Sequence, residues 1–485
     1  MKTKPVKEDP KTPGQILSEK LTFDLKNCWD TIAPEERPKI QEFAEGYKRF
    51  LNQGKTEREF VGICLDRLRA DGFVSLDTLL DSGNKLQPGD RVYWNIKGKS
   101  LVFGVIGRRS PKEGLNILGA HVDSPRIDLK TNPLYEDSGF ALFDTHYYGG
   151  IKHYQWTAIP LAMHGTVITK EGKNVSLCIG EEEGDPVFTI TDLLPHLAQD
   201  QMQKKASEFL DGEALNILAG SEPYQDDKVK NRVKLLVLSL FHEQYGIVEE
   251  DFAGAEIEFV PTFKSRDLGL DRSMIGGYGH DDRCCAYAVF QALLHAETEV
   301  PEKTLICILT DKEEIGSVGN TGAQSRTFEN FAAYLCSKTL ERYTDIELRR
   351  CLEHSVMLCA DVNAAYDPNY DSVYDKKTAS HLGKGMVLSK YTGRGGKVGG
   401  SEANAEFCQK VQGILNKNGI RWQFGDLGKV DKGGGGTIAL YVANLGVEVL
   451  DCGIPVLSMH SPFEVISKID LYTTYQGFRA FLQEA

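Results

Sequence analysis

The spacing of apolar residues changes once in the N-terminal part of this chain. From about residue 33 to residue 80, apolar positions recur at helical intervals with charged residues between them. From residue 91 onward, the apolar residues instead form short β-rich runs, beginning with 92–96 and 100–106. The pattern predicts a helical N-terminal region and the start of a β-sheet after it.

Four later apolar runs each lead into an acidic residue or a histidine. The runs are 115–118, 304–309, 355–359 and 455–459, and the residues they lead into are His121, Asp311, Asp361 and His460. Runs that are apolar on both faces are typical of strands covered on both sides. Helical patterns such as residues 284–296 lie between or after these strands, and this alternation predicts an α/β fold.

The last helix of the chain is predicted to begin just after His460. Ser461 is suited to the N-cap position, Pro462 to the first helical position, and Glu464 to the closing position of a capping box. This interpretation places His460 at a junction between a strand and a helix. Open α/β sheets gather their sites at such carboxyl ends of strands.

The middle of the chain has a different pattern, with short β-like pieces such as 165–169 and an acidic loop at 181–185. This change predicts a second domain inserted into the first. The predicted boundaries are 131–261 for the insert and 1–130 with 262–485 for a discontinuous main domain.

The first ten or so residues, rich in Lys, Pro and Asp, are predicted to be poorly ordered unless a neighbouring subunit holds them.

Charge and composition narrow the classes of partner. Of the 485 residues, 41% are hydrophobic and 26% are charged, which is ordinary for a globular protein. The net charge of -13 repels polyphosphate and anionic membranes, so we expect no nucleic-acid partner. No apolar stretch approaches the ~18 residues of a membrane span, and the first residues lack the apolar core of a signal peptide. We therefore expect no membrane partner and a cytoplasmic location.

The 11 cysteines are interpreted as reduced core residues. Several of them, such as Cys284, Cys307 and Cys359, lie inside apolar runs, and none forms a C-x-x-C pair. No chemistry is assigned to them.

The candidate chemistry lies in five short segments that together offer imidazole and carboxylate ligands. These segments are 119–125, 280–283, 311–316, 359–363 and 458–462. Such ligands are typical of hydrolytic zinc, manganese or cobalt rather than of a structural cysteine–zinc site. The set therefore predicts a metallohydrolase.

Each segment also has an ordinary structural interpretation. A histidine after a strand is more often a hydrogen-bonded core or loop residue, and Glu313–Glu314 is a candidate for a solvated charge pair. The Asp281 segment could be only an N-cap and the Asp361 segment only a turn. Two observations favour a functional role for these segments. Asp123 lies two residues from His121 and can share its face, and the Glu pair follows a buried-type run, where unpaired charge is costly.

Taken together and in this order, the motifs resemble those of the M18 family of metallo-aminopeptidases, the group of aspartyl aminopeptidase and vacuolar aminopeptidase I. The resemblance spans most of the chain. Its most specific pieces are Gly119-Ala120-His121-x-Asp123-Ser124-Pro125, Glu313-Glu314-Ile315-Gly316-Ser317, the Asp361 segment ending in Pro368-Asn369-Tyr370, and Ser458-Met459-His460-Ser461.

The resemblance implies a zinc-exopeptidase-like α/β/α catalytic domain with an inserted, mainly β oligomerisation domain. It also implies two Zn²⁺ ions, with Co²⁺ or Mn²⁺ as alternatives. The implied residue roles are His121 and Asp361 for one ion, Glu314 and His460 for the other, Asp281 as the bridge, Glu313 as general base, and Asp123 as the residue that orients His121.

The same resemblance implies the substrate and the assembly. The enzyme would hydrolyse the N-terminal residue, acidic or neutral, from short peptides. It would form a homo-oligomer, a dodecamer built from dimers. The segment around His196 is similar to the one through which a partner subunit places a histidine in the neighbouring site, where it would stabilise the tetrahedral oxyanion.

One position departs from the family pattern, and several others are candidates for the substrate pocket. Asp282 stands where family members often have Asn, and it could add a carboxylate behind the ligands. The segment 433–437 resembles the family's Gly-Thr loop. The candidates for binding an acidic P1 side chain are Lys390, Arg394 and Lys397, with no one of them preferred, and the Gly-rich run 393–400 could equally be a flexible surface loop.

Two other functions remain open at this point. One is a related co-catalytic zinc deacylase or carboxypeptidase, which would differ in whether the substrate's free amine or free carboxyl end is needed. The other is a self-assembling shell protein whose metal site has decayed, against which the intact ligand set argues.

Overall fold

The computed structural model describes residues 11–296 and 300–485. The prediction about the first ten residues lies outside this part of the chain. The described α-helices are α1 Pro13–Leu21, α2 Cys28–Thr31, α3 Arg37–Gln53, α4 Glu57–Ala70, α5 Leu76–Ser82, α6 Arg232–Tyr245, α7 His280–Leu294, α8 Thr327–Thr339, α9 Asp345–Glu353, α10 Ala405–Lys417, α11 Ala439–Ala443 and α12 Lys468–Glu484.

The strands are numbered in the same way along the chain. They are β1 Val74–Ser75, β2 Arg91–Ile96, β3 Ser100–Val105, β4 Leu115–His121, β5 Arg126–Asp137, β6 Phe140–Tyr148, β7 Leu161–Ile168, β8 Asn174–Ile179, β9 Thr189–Ile190, β10 Ile217–Gly220, β11 Glu256–Pro261, β12 Arg266–Leu268, β13 Met274–Gly277, β14 Thr304–Thr310, β15 Val356–Ala360, β16 Asn363–Ala364, β17 Met386–Ser389, β18 Gly393–Arg394, β19 Trp422–Phe424, β20 Gly434–Gly435, β21 Glu448–Gly453, β22 Pro455–Leu457 and β23 Glu464–Ser467.

A nine-stranded sheet forms the centre of the molecule, in the order β1-β2-β3-β14-β4-β15-β21-β17-β19. Its four middle strands, β14, β4, β15 and β21, are mutually parallel. Every residue of β14, β4 and β15 is buried. These strands are the apolar runs that the sequence marks as covered on both faces, and their prediction is confirmed.

Helices cover both faces of this sheet. One core packs the sheet against α3, α4, α7 and α12, through side chains such as Tyr47, Phe290 and Phe481. The other core packs the opposite face against α8, α9 and α11, through side chains such as Phe331 and Leu348. The predicted α/β/α arrangement is confirmed. No helix in the described ranges is long and apolar enough to cross a membrane.

A separate seven-stranded sheet, in the order β8-β7-β11-β5-β6-β10-β9, is built from the chain between β5 and β11. It packs against α6 around its own apolar core, which includes Phe143 and Phe259. The sheet agrees with the predicted mainly β insert. The predicted boundary at residue 131 falls inside β5, and the division of the chain into a catalytic and an oligomerisation domain stays a prediction.

The prediction for the segment after His460 is wrong. Residues 461–467 do not open a helix, because Glu464–Ser467 form β23, and α12 begins only at Lys468. The strand before His460, β22, belongs not to the large sheet but to a five-stranded sheet, in the order β12-β13-β23-β22-β16. His460 therefore lies in the turn that joins two antiparallel strands.

The cysteines are free, and all but Cys178 are buried. Their interpretation as core residues is confirmed for the ten buried cysteines and is wrong for Cys178.

Candidate metal centre and active site

Three neighbouring strands bring their carboxyl ends to one edge of the central sheet. His121 is the last residue of β4, and the register pairs it with Thr310, the last residue of β14. Glu313 and Glu314 follow β14 by three and four residues, and Asp361 directly follows β15. Because parallel strands end at the same edge of a sheet, these side chains meet there.

Two further segments reach the same edge from outside the sheet. Asp281 is the second residue of α7, and its backbone angles are not helical. His460 lies in the turn between β22 and β23, with its backbone in the left-handed region at φ 63°. Non-glycine residues adopt this region mainly in tight turns.

The Asp281 carboxylate lies between two imidazoles. Its Oδ1 is 3.2 Å from His121 Nε2, and its Oδ2 is 3.2 Å from His460 Nε2. On the first side, Asp361 Oδ1 is 3.8 Å from His121 Nε2. On the second side, Glu314 Oε2 is 3.5 Å from His460 Nε2. The five side chains thus form two sets of three nitrogen and oxygen donors that share Asp281.

The donor set fits zinc in both distance and chemistry. Two donors at about 2.0–2.2 Å from one tetrahedral zinc ion lie roughly 3.4 Å apart, close to the separations found here. Asp281 Oδ1 and Glu314 Oε1 are buried and accept no hydrogen bond from the described residues. Buried carboxylate oxygens without partners are costly unless a cation binds them.

The cluster raises the pKa of one of its imidazoles and of both glutamates. Burial opposes the charged form of His460, but the carboxylates of Asp281 and Glu314 outweigh burial and raise its pKa to about 11. Burial, partly offset by His121, raises the pKa of Glu313 to about 8. Burial and the charge of Asp281 raise the pKa of Glu314 well above its usual range. The site therefore holds more negative charge than it can keep ionised alone, as expected where cations bind.

The buried Asp123 side chain connects one imidazole with the glutamate pair. The Nδ1 atom of His121 donates to the Asp123 carbonyl at 3.0 Å and lies 3.3 Å from Asp123 Oδ1. The backbone N–H groups of Glu313 and Glu314 donate to the two carboxylate oxygens of Asp123 at 3.1 and 3.2 Å. Burial acts to raise the pKa of Asp123, but the bonds from His121 and Tyr148 hold it below its usual value.

Glu464 contributes to the site in a way that the sequence analysis missed. Its carboxylate accepts the backbone N–H of His460 at 2.8 Å and that of Asp281 at 3.1 Å. Burial raises its pKa to about 8, and the charge of Asp281 adds to this effect. Glu464 thus fixes the turn that carries one ligand and the backbone that carries another. The only sequence signal was its position four residues after His460, where it was interpreted as a helix cap.

A cavity of about 640 Å³ opens onto the cluster and is lined at one end by Asp281, Glu313, Glu314, Asp361 and His460. At the other end, the Gly-rich segments pair as strands β18 and β20. The run 393–400 is therefore partly ordered rather than only a loose surface loop.

The three candidate cations differ in their relation to this cavity. Arg394 and Lys397 line it, whereas Lys390 does not. Lys390 and Lys397 both pair with Glu402 Oε1, at 3.1 and 2.9 Å. Arg394 forms no ion pair within the described part of the chain.

Asp282 and His196 belong to neither donor set, although Asp282 directly follows Asp281. Asp282 is fully buried beside the thiols of Cys284 and Cys285, and burial raises its pKa well above its usual range. His196 is exposed, in the segment between β9 and β10. In a single chain it does not contact the cluster, so its predicted role requires a neighbouring subunit.

A family model described as aminopeptidase I zinc metalloprotease (M18) matches residues 50–482 of this sequence. This chain belongs to the M18 family. It is 47% identical over 470 residues to a probable M18 family aminopeptidase 1 of Clostridium acetobutylicum, an alignment that covers 97% of this chain and 99% of the relative. The predicted family and metallo-aminopeptidase activity are confirmed.

Solved structures agree with this M18 assignment. The crystal structure of an M18 aminopeptidase from Thermotoga maritima matches with a TM-score of 0.91 and 43% identity, covering 96% of this chain and all of that chain. The mApe1 dodecamer of S. cerevisiae matches with a TM-score of 0.73 over 90% of this chain and 95% of that chain. At 21% identity, the second match shows the fold alone.

The role of Glu464 in this M18 enzyme is testable with a matched control. Glu464→Ala leaves the N–H groups of Asp281 and His460 without their acceptor, so we expect zinc affinity to fall by about 10- to 100-fold. Asp470→Ala removes another buried carboxylate that accepts two backbone N–H groups, from Gly383 and Gly385, away from the ligands. Both variants should melt at a lower temperature, but only Glu464→Ala should lose zinc in a chelator titration. Equal retention of zinc by both variants would contradict this role.

Proposed function

We propose that this M18 enzyme is a dinuclear zinc aminopeptidase that removes the N-terminal residue, acidic or neutral, from short peptides. The observation that carries the proposal is the Asp281 carboxylate, whose two oxygens lie 3.2 Å from two different imidazoles. The flanking carboxylates of Asp361 and Glu314 complete two adjacent donor sets. His121 and Asp361 would hold one ion, Glu314 and His460 the other, and Asp281 would bridge them.

Zinc bound at these sites would polarise the scissile carbonyl and lower the pKa of the attacking water. Cobalt or manganese would suit the same nitrogen and oxygen donors.

Glu313 is the residue that we assign as general base. Its carboxylate lies within 4.8 Å of the donor atoms of His121 and Asp361, and it lines the cavity that would admit the peptide. Its neighbour Glu314 instead faces His460. Glu313 would take a proton from the attacking water onto its carboxylate and return it to the leaving amine.

Asp123 is assigned as the residue that orients His121. By fixing the Nδ1 atom, it leaves Nε2 of the ring directed at Asp281 and Asp361. Its bonds to the backbone of Glu313 and Glu314 fix the turn that carries the general base.

The two neighbouring glutamates can be separated by experiment. In Glu313→Gln we expect kcat to fall by about 10²- to 10⁴-fold, because the amide cannot accept the proton, while zinc content stays near normal. In Glu314→Gln we expect loss of zinc as well as of activity. The measurements are hydrolysis of an aminoacyl-anilide and zinc content by elemental analysis. Substantial activity in Glu313→Gln would contradict the assignment.

Arg394 is the cation that we assign to binding an acidic N-terminal side chain. It lines the cavity without an ion pair of its own, whereas Lys397 is paired with Glu402. The apolar side chains of Leu427 and Val430 line the same cavity and would accept a neutral residue.

Arg394→Ala should therefore change selectivity more than overall activity. A charged hydrogen bond contributes about 1.5–3 kcal/mol, so we expect kcat/KM for an Asp- or Glu-anilide to fall roughly 10- to 150-fold. The kcat/KM for a Leu-anilide should change little. Lys390→Ala is the matched control, since Lys390 lies outside the cavity and pairs with Glu402. If Arg394→Ala changes kcat/KM for acidic and neutral anilides by the same factor, as Lys390→Ala does, Arg394 is not the specificity residue.

We also propose that the enzyme assembles as a dodecamer built from dimers through its insert, so that His196 reaches a neighbouring site. The assembly is supported by the dodecameric description of the S. cerevisiae relative. His196 lies among exposed apolar side chains, Leu193, Leu194 and Leu197, which an interface would cover. The cytoplasmic location stays a prediction.

Mixed oligomers test whether His196 acts across subunits. His196→Ala and Glu313→Gln should each be nearly inactive alone. When the two variants are dissociated and reassembled together, a Glu313→Gln subunit can supply its intact His196 to a His196→Ala subunit that keeps Glu313. We therefore expect activity to return in the mixture, measured as anilide hydrolysis per subunit. A mixture that stays inactive although mixed oligomers form would exclude a role in trans.

A further inference from the structure

The end of strand β6 lies against both halves of the candidate metal centre. This strand belongs to the seven-stranded sheet of the insert, and it ends at Tyr148, followed by Gly149 and Gly150. We propose that the segment Tyr148–Gly150 positions both metal-binding histidines, so that the insert supports the site within its own subunit. The proposal rests on the ligand set given under the proposed function, and it adds positioning residues to that set.

Tyr148 acts on the first histidine through Asp123. Its hydroxyl donates to Asp123 Oδ2 at 2.9 Å, and both residues are buried. The other carboxylate oxygen of Asp123, Oδ1, lies 3.3 Å from Nδ1 of His121, which also donates to the Asp123 carbonyl oxygen at 3.0 Å. The Tyr148 hydroxyl therefore holds the Asp123 carboxylate in place beside the imidazole of His121. The Nε2 atom of that imidazole faces the shared Asp281.

Gly150 acts on the second histidine directly. Its carbonyl oxygen accepts a hydrogen bond from Nδ1 of His460 at 2.8 Å. A histidine that donates from Nδ1 keeps the lone pair of Nε2 for a metal ion, and Nε2 of His460 points at Asp281 and Glu314. The segment thus selects this tautomer directly in His460, and in His121 it supports the same tautomer through Asp123.

The two glycines allow this close approach. Gly149 has a left-handed backbone, with φ 75°, and a Cβ placed on it would lie 3.3 Å from Glu314 Oε2. A Cβ placed on Gly150 would lie 3.3 Å from Nδ1 of His460. Side chains at these positions would press on a ligand of the second ion, which explains why glycine suits them.

The aromatic ring of Tyr148 is held in place by a buried charge network. Arg126, its cross-strand partner on β5, stacks its guanidinium 3.9 Å from the ring centroid. Three carboxylates hold Arg126 in turn, at distances of 2.8 to 3.4 Å, and these belong to Glu57, Asp128 and Glu258. Glu57 comes from α4 and Glu258 from β11 of the insert, so the network joins a helix that packs on the central sheet to the sheet of the insert.

The first test removes one hydroxyl. Tyr148→Phe keeps the ring beneath Arg126 but leaves Asp123 without this donor. We expect zinc affinity to fall by about 10- to 100-fold, with a parallel fall in kcat and little change in KM. Tyr147→Phe is the matched control, since Tyr147 is the preceding residue of the same strand and is exposed. Zinc affinity is measured by chelator competition on the full chain, and melting of the metal-free protein checks folding.

The second test changes the contact between Gly150 and His460. Gly150→Ala adds a methyl group against His460, so we expect one of the two zinc ions to bind more weakly by at least tenfold. Gly254→Ala is the control, because a Cβ at that position of the insert would meet no atom within 4 Å. If Tyr148→Phe fails to fold, Gly150→Ala decides the proposal alone.

These results separate the positioning role from the ligand assignment. The unmodified protein should bind two zinc ions, and His121→Ala and His460→Ala should each weaken binding of one. If the unmodified protein does not bind two ions, the proposed ligand set is wrong. If it does, and Tyr148→Phe and Gly150→Ala both bind zinc within twofold of it, the ligand set stands and the positioning role is overturned.

Discussion

The site depends on one buried carboxylate placed between two imidazoles. Asp281 is almost fully buried, and its oxygens lie 3.2 Å from ring nitrogens that belong to distant parts of the chain. Carboxylates packed this closely repel one another in a medium of low dielectric constant, so the arrangement is stable only with compensating positive charge. Protons on His121 and His460 provide some of this charge, and a pair of divalent cations would provide it without a change in geometry.

A second layer of buried acceptors holds the ligands against that repulsion. Asp123 accepts the backbone N–H groups of the adjacent residues Glu313 and Glu314, whereas Glu464 accepts those of Asp281 and His460 and so joins two distant segments. Backbone N–H groups are fixed donors, so they hold a carboxylate without the flexibility of a second side chain. The geometry of the candidate ligands is therefore a property of the backbone turns as much as of their side chains.

The sequence predicted the strands that lead to the site better than the turn that completes it. The runs before His121 and Asp361 are apolar on both faces because helices cover both faces of the sheet, and this pattern is local. Glu464 shows why the turn after His460 is harder to predict from the sequence. Its spacing from Ser461 suits a capping box, but its carboxylate bonds to the N–H of Asp281, which is 183 residues away. No local pattern records such a partner, so the sequence places the start of the helix six residues too early.

The position of the insert explains how ligands so far apart in sequence come together. His121 precedes the insert and Asp281 follows it, yet the insert's first and last strands pair antiparallel, with Ile127 opposite Phe259. The chain therefore leaves the main sheet after β4 and comes back beside that point in β11, from where it continues through β12 and β13 to Asp281 in α7. On its other edge β5 pairs with β6, which carries Tyr148 and Gly150 back to the edge where the candidate ligands meet. An insert that entered and left at distant points would separate the two ligands and remove this support.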